Sequence, residues 1–375
     1  MRIAVVGPAH PYKGGSAQHT TELAHRLSAA GHQVALESWS AQYPKRLYPG
    51  QLTVDRPEIE LFPDTEWPLA WNRPDGWWLT GRRLGRRFDA VVLAVFTPIQ
   101  VPAYLALARA ARAGGAKVVV ICHNVLPHEH RRLDRPLMKA LLRRADAVVV
   151  HSGEEASLAA TLTSAPVEVA SLPLHLPHAG PGASAPGKPR PPRNRLLFFG
   201  IVRRYKGLDV LIRALADTKP DVSLTIAGEI WEDRDGLLRL ISDLQLGDRV
   251  TLSDGYVAAD DVPALFAAAD ALVLPYRSGT ASQNALIALQ FGIPVIATRA
   301  GAIADSVADG VNGLLCAPGD VSDLTRAIRT LYEPGTLELL QQGVRIPDTG
   351  QAWADYVAAI ERACAGRTAV AGRRS

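Results

Sequence analysis

Cysteine is scarce in this chain: Cys122, Cys316 and Cys364 are the only three in 375 residues, and they lie far apart. They make no metal-ligand spacing and no disulfide framework, which excludes a disulfide-stapled fold and fits a reducing compartment. Long apolar runs are lacking too. No stretch approaches the roughly 20 residues that cross a bilayer. The opening "MRIAVVGPAHP" has one Arg and five apolar residues before Gly7, so it reads as a first strand and not a signal peptide. A cytoplasmic location is the expectation. No Gly-x-Gly-x-x-Gly follows that strand, which counts against a nicotinamide cofactor there, and no His-Glu-x-x-His pair occurs. A large net charge is also absent, at +4 with a pI near 9.0. The charge is uneven, however. Residues 1–190 carry 22 Lys+Arg against 15 Asp+Glu, and the remainder 19 against 22. That bias predicts an acidic partner for the first half and does not call for nucleic acid.

What is present is an alternation of strand-like and helical segments. "RIAVV", "QVALES", "AVVLAVF", "KVVVIC", "AVVVHS" and "VEVASLP" fall in the first half, and "LLFFG", "SLTIAGE", "RVTLSD", "ALVLPY" and "PVIAT" in the second. Continuous Val/Ile/Leu runs are the mark of parallel strands covered on both faces. Helical patterns such as 17–30 and 263–269 separate them. Between the halves lies "AGPGASAPGKPRPPRN", residues 179–194, a linker by composition. The expectation is an α/β chain of two doubly wound domains facing across a cleft, 1–178 and 195–348, with 349–375 crossing back as a helix. In such sheets ligands sit outside the carboxyl ends of the strands.

Three segments carry chemistry. The first strand runs into "GPAHPYKGGSAQHTTELAHRLSAAGHQV", where Gly14, Gly15, His10 and Lys13 precede a helix with Ser16 as its expected N-cap and Gly31 as its C-cap. A plain corner would need no paired glycines beside a lysine. "KVVVICHNVLPHEHRR" places His123 at a strand end, followed by Asn124, His128, Glu129 and His130. His123 reads either as a site residue or as a satisfied structural imidazole, and the last three as a possible zinc group. "FFGIVRRYKGLDVLI" puts Arg203, Arg204 and Lys206 in a turn after Gly200, between a strand and a helix. That is an anion-binding corner, because free N–H groups and the helix dipole face the ligand. A second such corner is "LPYRSGTASQNALIALQFG", with Thr280, Ala281, Ser282 and Gln283 at the start of a helix over 283–291. Two corners plus Arg203 and Lys206 point to a diphosphate rather than a carboxylate.

Two further stretches have competing readings. "RRLDRPLMKALLRR", 131–144, carries Leu133, Leu137, Met138, Leu141 and Leu142 as an apolar stripe, either core-facing or a membrane-surface face. Five of the seven tryptophans lie in 39–78, in a stretch poor in periodicity that reads as a loop, either stacking on a sugar or forming a satellite core.

Taken in order, these residues resemble retaining glycosyltransferases of family 4, with the GT-B fold, over nearly the whole chain. "ICHN" resembles that family's strand-end histidine, "FGIVRRYKG" its diphosphate clamp, and "FGIPVIATRAG" with "DGVNGLLCAPGD" its closing segment. The resemblance implies transfer of a sugar from a nucleoside-diphosphate sugar held by the second domain, with retention, to a saccharide or lipid-linked acceptor held by the first. It implies no cofactor and no metal. It assigns His123, Arg203 and Lys206 to catalysis, and Gly14, Gly15, Gly200 and 280–283 to the diphosphate. Glu229 and Tyr256 fall to the nucleoside, and His10, Lys13, Asn124, His128 and Glu129 to the acceptor side. Two departures stand out: the family's Glu-x7-Glu positions are Gly279 and Ile287 here, and the Arg usual after the clamp glycine is Ile201. Rival readings are a non-catalytic relative, motivated by the lost Glu pair, and a sugar-nucleotide epimerase using Glu229 and Asp254 as bases. Peripheral contact with an anionic membrane is a further expectation.

Overall fold

The computed structural model describes residues 1–44, 52–54, 59–127, 131–174, 191–279 and 282–366. Contacts divide these into two compact units, 1–174 joined by 349–366, and 191–348. Most of the 179–194 segment, with its expected linker role, lies outside the described residues.

Unit 1 is built on seven strands: β1 (Arg2–Val6), β2 (Gln33–Ala41), β3 (Thr65–Ala70), β4 (Ala90–Val95), β5 (Lys117–Cys122), β6 (Ala147–Val150) and β7 (Val167–Val169). They lie in the order β3-β2-β1-β4-β5-β6-β7 with every pair parallel. Parallel neighbours need a crossover, and the helices supply it: α1 (Gly15–Ala29), α2 (Pro74–Arg87), α3 (Val101–Ala113), α4 (Asp134–Leu142) and α5 (Gly153–Ala160). The strands' period of two sends alternate residues into two cores. Ala4, Val6, Val91, Leu93, Val118 and Val120 meet α2, α3 and α4 on one face. Ile3, Val5, Val92, Val119 and Ile121 meet α1 on the other. Gly81 and Gly85 let α2 lie directly on α3, since a Cβ there would come within 2.5 Å of Leu107 O and 2.3 Å of Ala111 O.

Unit 2 repeats the plan with six parallel strands, β8 (Arg195–Phe199), β9 (Ser223–Ala227), β10 (Val250–Ser253), β11 (Ala271–Leu274), β12 (Val295–Thr298) and β13 (Gly313–Cys316), in the order β10-β9-β8-β11-β12-β13. Its helices are α6 (Leu208–Ala216), α7 (Arg234–Asp243), α8 (Val262–Ala267), α9 (Gln283–Gln290), α10 (Val321–Leu331) and α11 (Thr336–Gly343). The last helix, α12 (Thr349–Ala365), belongs to unit 1. Trp353 and Tyr356 are its buried anchors, with Trp353 Nε1 donating to Leu174 O at 2.9 Å.

The structure departs from the sequence reading in three places. The tryptophan stretch is not a loop: Trp39 is buried on β2, Trp67 lies on β3, and Trp77 and Trp78 are in α2. Pro68 hid β3, yet a proline is tolerated there because β3 is an edge strand, where one ladder face needs no N–H. β13, too, goes unannounced by its short "GLLC". The N-cap of α1 is Gly14, with φ 97°, while Ser16 lies inside the helix and its carbonyl accepts from Thr20 Oγ1. The C-cap is Ala30, and Gly31, at φ 87°, follows it. Of the two readings of the 131–144 stripe, the core-facing one holds: Met138, Leu141 and Leu142 are fully buried, and Leu133 points to solvent.

Candidate functional site

A doubly wound sheet leaves a crevice where the strand order reverses, because the connections on either side leave to opposite faces. In unit 2 that point lies between the carboxyl ends of β8 and β11. The residues there are the two corners singled out in the sequence. β8 ends at Phe199, Gly200 follows at φ 96°, and a short turn over Arg204–Lys206 leads to α6. β11 ends at Leu274, and the chain continues through Pro275 to Gly279 and on to α9.

Lys206 is the cation the structure brings to this point. Its Nζ lies 5.5 Å from the centroid of the Tyr276 ring, and a Cβ on Gly200 would be 3.6 Å from it. No carboxylate pairs with it among the described residues, and burial pushes its pKa down. A desolvated ammonium without a counter-ion is a costly arrangement that an anion would relieve. Beside it, Asn284 Nδ2 donates to Phe199 O at 2.7 Å, tying the start of α9 to the end of β8. Tyr276 is buried, and burial pushes its phenol up to about 12 against hydrogen bonds with Ser282 and Asn284, so it stays neutral. Ser282 is the N-cap residue of α9, without a side-chain bond to the helix N–H groups. The Oε1 of Gln283, first in α9, is buried and accepts no hydrogen bond among the described residues.

The turn carrying Lys206 is held by groups that sequence reasoning did not single out. Arg277 makes a two-pronged contact with Asp209, at 2.8 Å to each oxygen, and its Nη1 also donates to Arg204 O at 2.9 Å. Its own N–H donates to Tyr205 O at 2.7 Å. Gly207 follows at φ 66°, and a side chain there would strike Pro275 O at 2.1 Å, so the turn and the β11 loop interlock at backbone level. The signal was present as an Asp one residue into a helix and an Arg after a strand, but pairing across 68 residues leaves no local trace.

Arg203 is placed differently from Lys206. Its Nε pairs with Glu232 Oε1 at 2.8 Å and its guanidinium lies 5.7 Å from the Trp231 ring. Glu229, after β9, accepts from Trp231 Nε1 at 3.3 Å through Oε2. Tyr256, after β10, is exposed. Asp254 accepts from Ile230 N–H and pairs with Arg234 at 2.8 Å, which holds its carboxyl below the usual range. Ile287, at the second Glu position of the family pattern, is buried in the core, and Gly279 faces Ile303. Thr280 and Ala281 lie outside the described residues.

In unit 1 the site residues gather at the carboxyl ends of β1, β4, β5 and β6. His123 follows β5, its N–H donating to Val95 O at 3.1 Å. Its ring stacks on Phe96 at 3.9 Å and meets His19 at 4.5 Å and His151 at 4.8 Å. His19 in turn touches Trp353 and Tyr356 of α12. His151 Nδ1 donates to Ala170 O at 3.0 Å, since a carbonyl only accepts, and burial pushes this imidazole down to about 4. His10 is buried, its backbone N–H donating to Thr21 Oγ1, and burial lowers its pKa. Lys13 N–H donates to Leu52 O at 2.9 Å, and a side chain on Gly14 or Gly15 would meet nothing within 4 Å. His19 and His151 were not anticipated as neighbours of His123. Asn124 directly follows His123; His128, Glu129 and His130 lie outside the described residues. Among the described residues no group of three or more His, Cys, Asp or Glu side chains could hold a metal ion.

Comparison with known proteins accounts for this arrangement. Residues 13–176 match the model of "Glycosyltransferase Family 4" and residues 193–334 that of "Glycosyl transferases group 1". The chain belongs to glycosyltransferase family 4. A D-inositol 3-phosphate glycosyltransferase of Pseudarthrobacter chlorophenolicus is 33% identical over 182 residues, 44% of this chain and 43% of that one. A second, from Catenulispora acidiphila, is 30% identical over 242 residues, 58% and 56% of the two chains. The chain thus matches about half the length of these curated relatives. Sucrose-phosphate synthase from Thermosynechococcus elongatus shares the fold, with a TM-score of 0.70 at 20% identity over 96% of this chain and 97% of that one. The two Rossmann-like units are therefore those of the GT-B fold, as the family resemblance implied.

Proposed function

We propose that this protein transfers a sugar from a nucleoside-diphosphate sugar to an acceptor, with the donor diphosphate at the β8–β11 switch point of unit 2. The single observation that carries this reading is Lys206: a desolvated ammonium with no carboxylate partner among the described residues, set among Gly200, Tyr276 and the N-terminus of α9. As the glycosidic bond breaks, negative charge grows on the leaving β-phosphate. Lys206 and the free N–H groups of α9 then interact more strongly than with the intact donor, which is the condition for catalysis. Arg203 starts from its pair with Glu232 and adds to the clamp on turning toward the phosphates.

The same reading covers the lost carboxylates. With Ile287 in the core, a donor hydroxyl finds the unpaired Oε1 of Gln283 as acceptor on the same helix. His123 orients or stabilises the sugar, its ring held among those of Phe96, His19 and His151. Retention of configuration is part of this proposal, by same-face attack in which the leaving phosphate takes the acceptor's proton. No step is assigned to a metal or cofactor. The acceptor is a saccharide or lipid-linked saccharide held by unit 1. The epimerase alternative is disfavoured because Asp254 is committed to Arg234 and Glu229 to Trp231.

Calorimetric titration with UDP, GDP and ADP tests the reading. One of them binds in the micromolar range, and the corresponding nucleotide sugars are turned over with slow hydrolysis when no acceptor is given. Binding without any turnover across donors and acceptors returns the non-catalytic alternative.

A further inference from the structure

The proposed reaction leaves one large feature of unit 1 unused. Residues 71–146 hold 14 Lys+Arg against five Asp+Glu. The fold places seven of these cations on one surface, the outside of the α2–α3–α4 layer. Leu84, Leu107, Ala111, Met138, Leu141 and Leu142 turn inward to a shared core. Arg82, Arg86 and Arg87 of α2, Arg109 of α3, and Arg135, Lys139 and Arg143 on and just after α4 remain exposed, and none has an ion-pair partner among the described residues. Gly81 and Gly85 lie on α3, which fixes the rotation of α2 and turns Trp78, Arg82 and Arg86, at helical spacing, away from the core.

A second observation is independent of charge. Trp71, Trp78, Leu79, Ile99 and Leu133 are 44%, 48%, 60%, 48% and 70% exposed. Each lies just before, or in the first two turns of, α2, α3 or α4. Each of these helices follows a parallel strand and runs back against it, so their N-termini all stand at the carboxyl edge of the sheet. The result is an apolar rim along one edge with a basic face behind it. The rim begins at edge strand β3, where Trp77 Nε1 donates to Ala70 O at 2.6 Å and pins the start of α2. Scattered surface arginines would serve solubility without such a rim. A nucleic acid would have no use for exposed Leu and Ile. Phosphate above hydrocarbon, met by Arg behind Trp and Leu, is the complement of an anionic bilayer surface.

We propose that unit 1 docks on an anionic membrane by this rim and face. The inference rests on the transferase reading in one respect: it brings the edge bearing His10, His123 and Asn124 to the lipid, where a lipid-linked acceptor would enter. The 131–144 segment contributes Leu133 and its cations to this surface, while Met138, Leu141 and Leu142 of its stripe are core.

The test is flotation of the full chain with phosphatidylcholine vesicles and with vesicles containing phosphatidylglycerol. The protein floats with the anionic vesicles only, less so as salt rises, and its tryptophan emission shifts to the blue. Replacing Arg82, Arg86 and Arg87 together by Gln lowers partitioning by about a hundredfold. Trp78→Ser with Leu79→Ser removes the salt-resistant part, and Arg239→Gln, on exposed α7 of unit 2, changes nothing. Equal binding to neutral vesicles, no flotation, self-association blocked by the rim variants, or an equal loss in Arg239→Gln each overturns the proposal. Nucleoside-diphosphate binding is measured on the same proteins. If it persists while flotation is absent, the donor reading stands and this inference falls; the opposite pattern removes the donor reading alone.

Discussion

Replacing Lys206 by Ala separates a binding cation from a structural one. Its ammonium is desolvated, has no carboxylate partner among the described residues, and lies beside the ring of Tyr276. A phosphate oxygen about 4 Å away interacts with it by about 4 kcal/mol at the effective dielectric of a protein surface. Part of that is spent on the ground-state diphosphate. Removing the charge therefore costs about 2–4 kcal/mol of transition-state stabilisation, roughly a 30- to 1,000-fold loss in kcat/KM. The stability effect has the opposite sign. Without a partner, the buried charge is a liability to the free protein, so Lys206→Ala or Lys206→Met keeps or raises Tm. Nucleoside diphosphate then protects the variant against heat less than it protects the parent. The assays are calorimetric titration with UDP, GDP and ADP, donor turnover, and thermal melts with and without ligand. Unchanged affinity and turnover in a folded variant would refute the reasoning. So would a parallel loss of stability and activity, which would make Lys206 a structural residue.

Three other substitutions follow from contacts within single units. Asp209→Asn loosens the turn fixed by Arg277, so kcat/KM for the donor falls about tenfold while Tm changes little; a fall in Tm with normal kinetics would contradict it. Trp353→Ala removes the anchor of α12 and costs unit 1 about 3–5 kcal/mol by thermal or urea unfolding, an effect that a melt within a degree of the parent's would exclude. Glu37 is buried beside Arg83, and burial lifts its carboxyl from the usual 4.5 to about 7. Between those values the folded state holds more protons than the unfolded, so stability falls as pH rises from 4.5 to 7. Glu37→Gln removes that slope and is the more stable form above pH 7 by about 1–3 kcal/mol, converging with the parent near pH 5; parallel profiles would show the shift to be absent.

How much of this was readable in the chain depended on the range of the interaction. Val/Ile runs such as "AVVLAV" and "KVVVIC" announced parallel strands because burial on both faces leaves no polar alternation to confuse them. β3 was missed because "TEWPLA" carries a proline and an exposed tryptophan, and only its place at the sheet edge makes it a strand. Gly200 and Lys206 were legible because a strand, a glycine and a helix start encode an anion corner within ten residues. Asp209–Arg277 and the His19–His123–His151 packing were not, since each joins residues far apart in sequence and charge or ring type alone names no partner.

That division bears on the missing Glu pair. Sequence alone makes Gly279 and Ile287 look like losses, and on that ground the chain could be an inactive relative. The fold changes the weighing. Ile287 packs in the core of α9's inner face, so the helix is firmly seated without the carboxylate. The Oε1 of its first residue, Gln283, is buried and accepts no hydrogen bond among the described residues, and Asn284 ties the helix to the β8 end. Interlocking at Gly207, Pro275 and Arg277 then holds Lys206 in place although no counter-ion among the described residues offsets the cost of desolvating it. A chain that had lost its anionic ligand would have no reason to retain that cost, since an apolar or neutral residue would be the more stable choice there. The retained charge argues for a retained diphosphate.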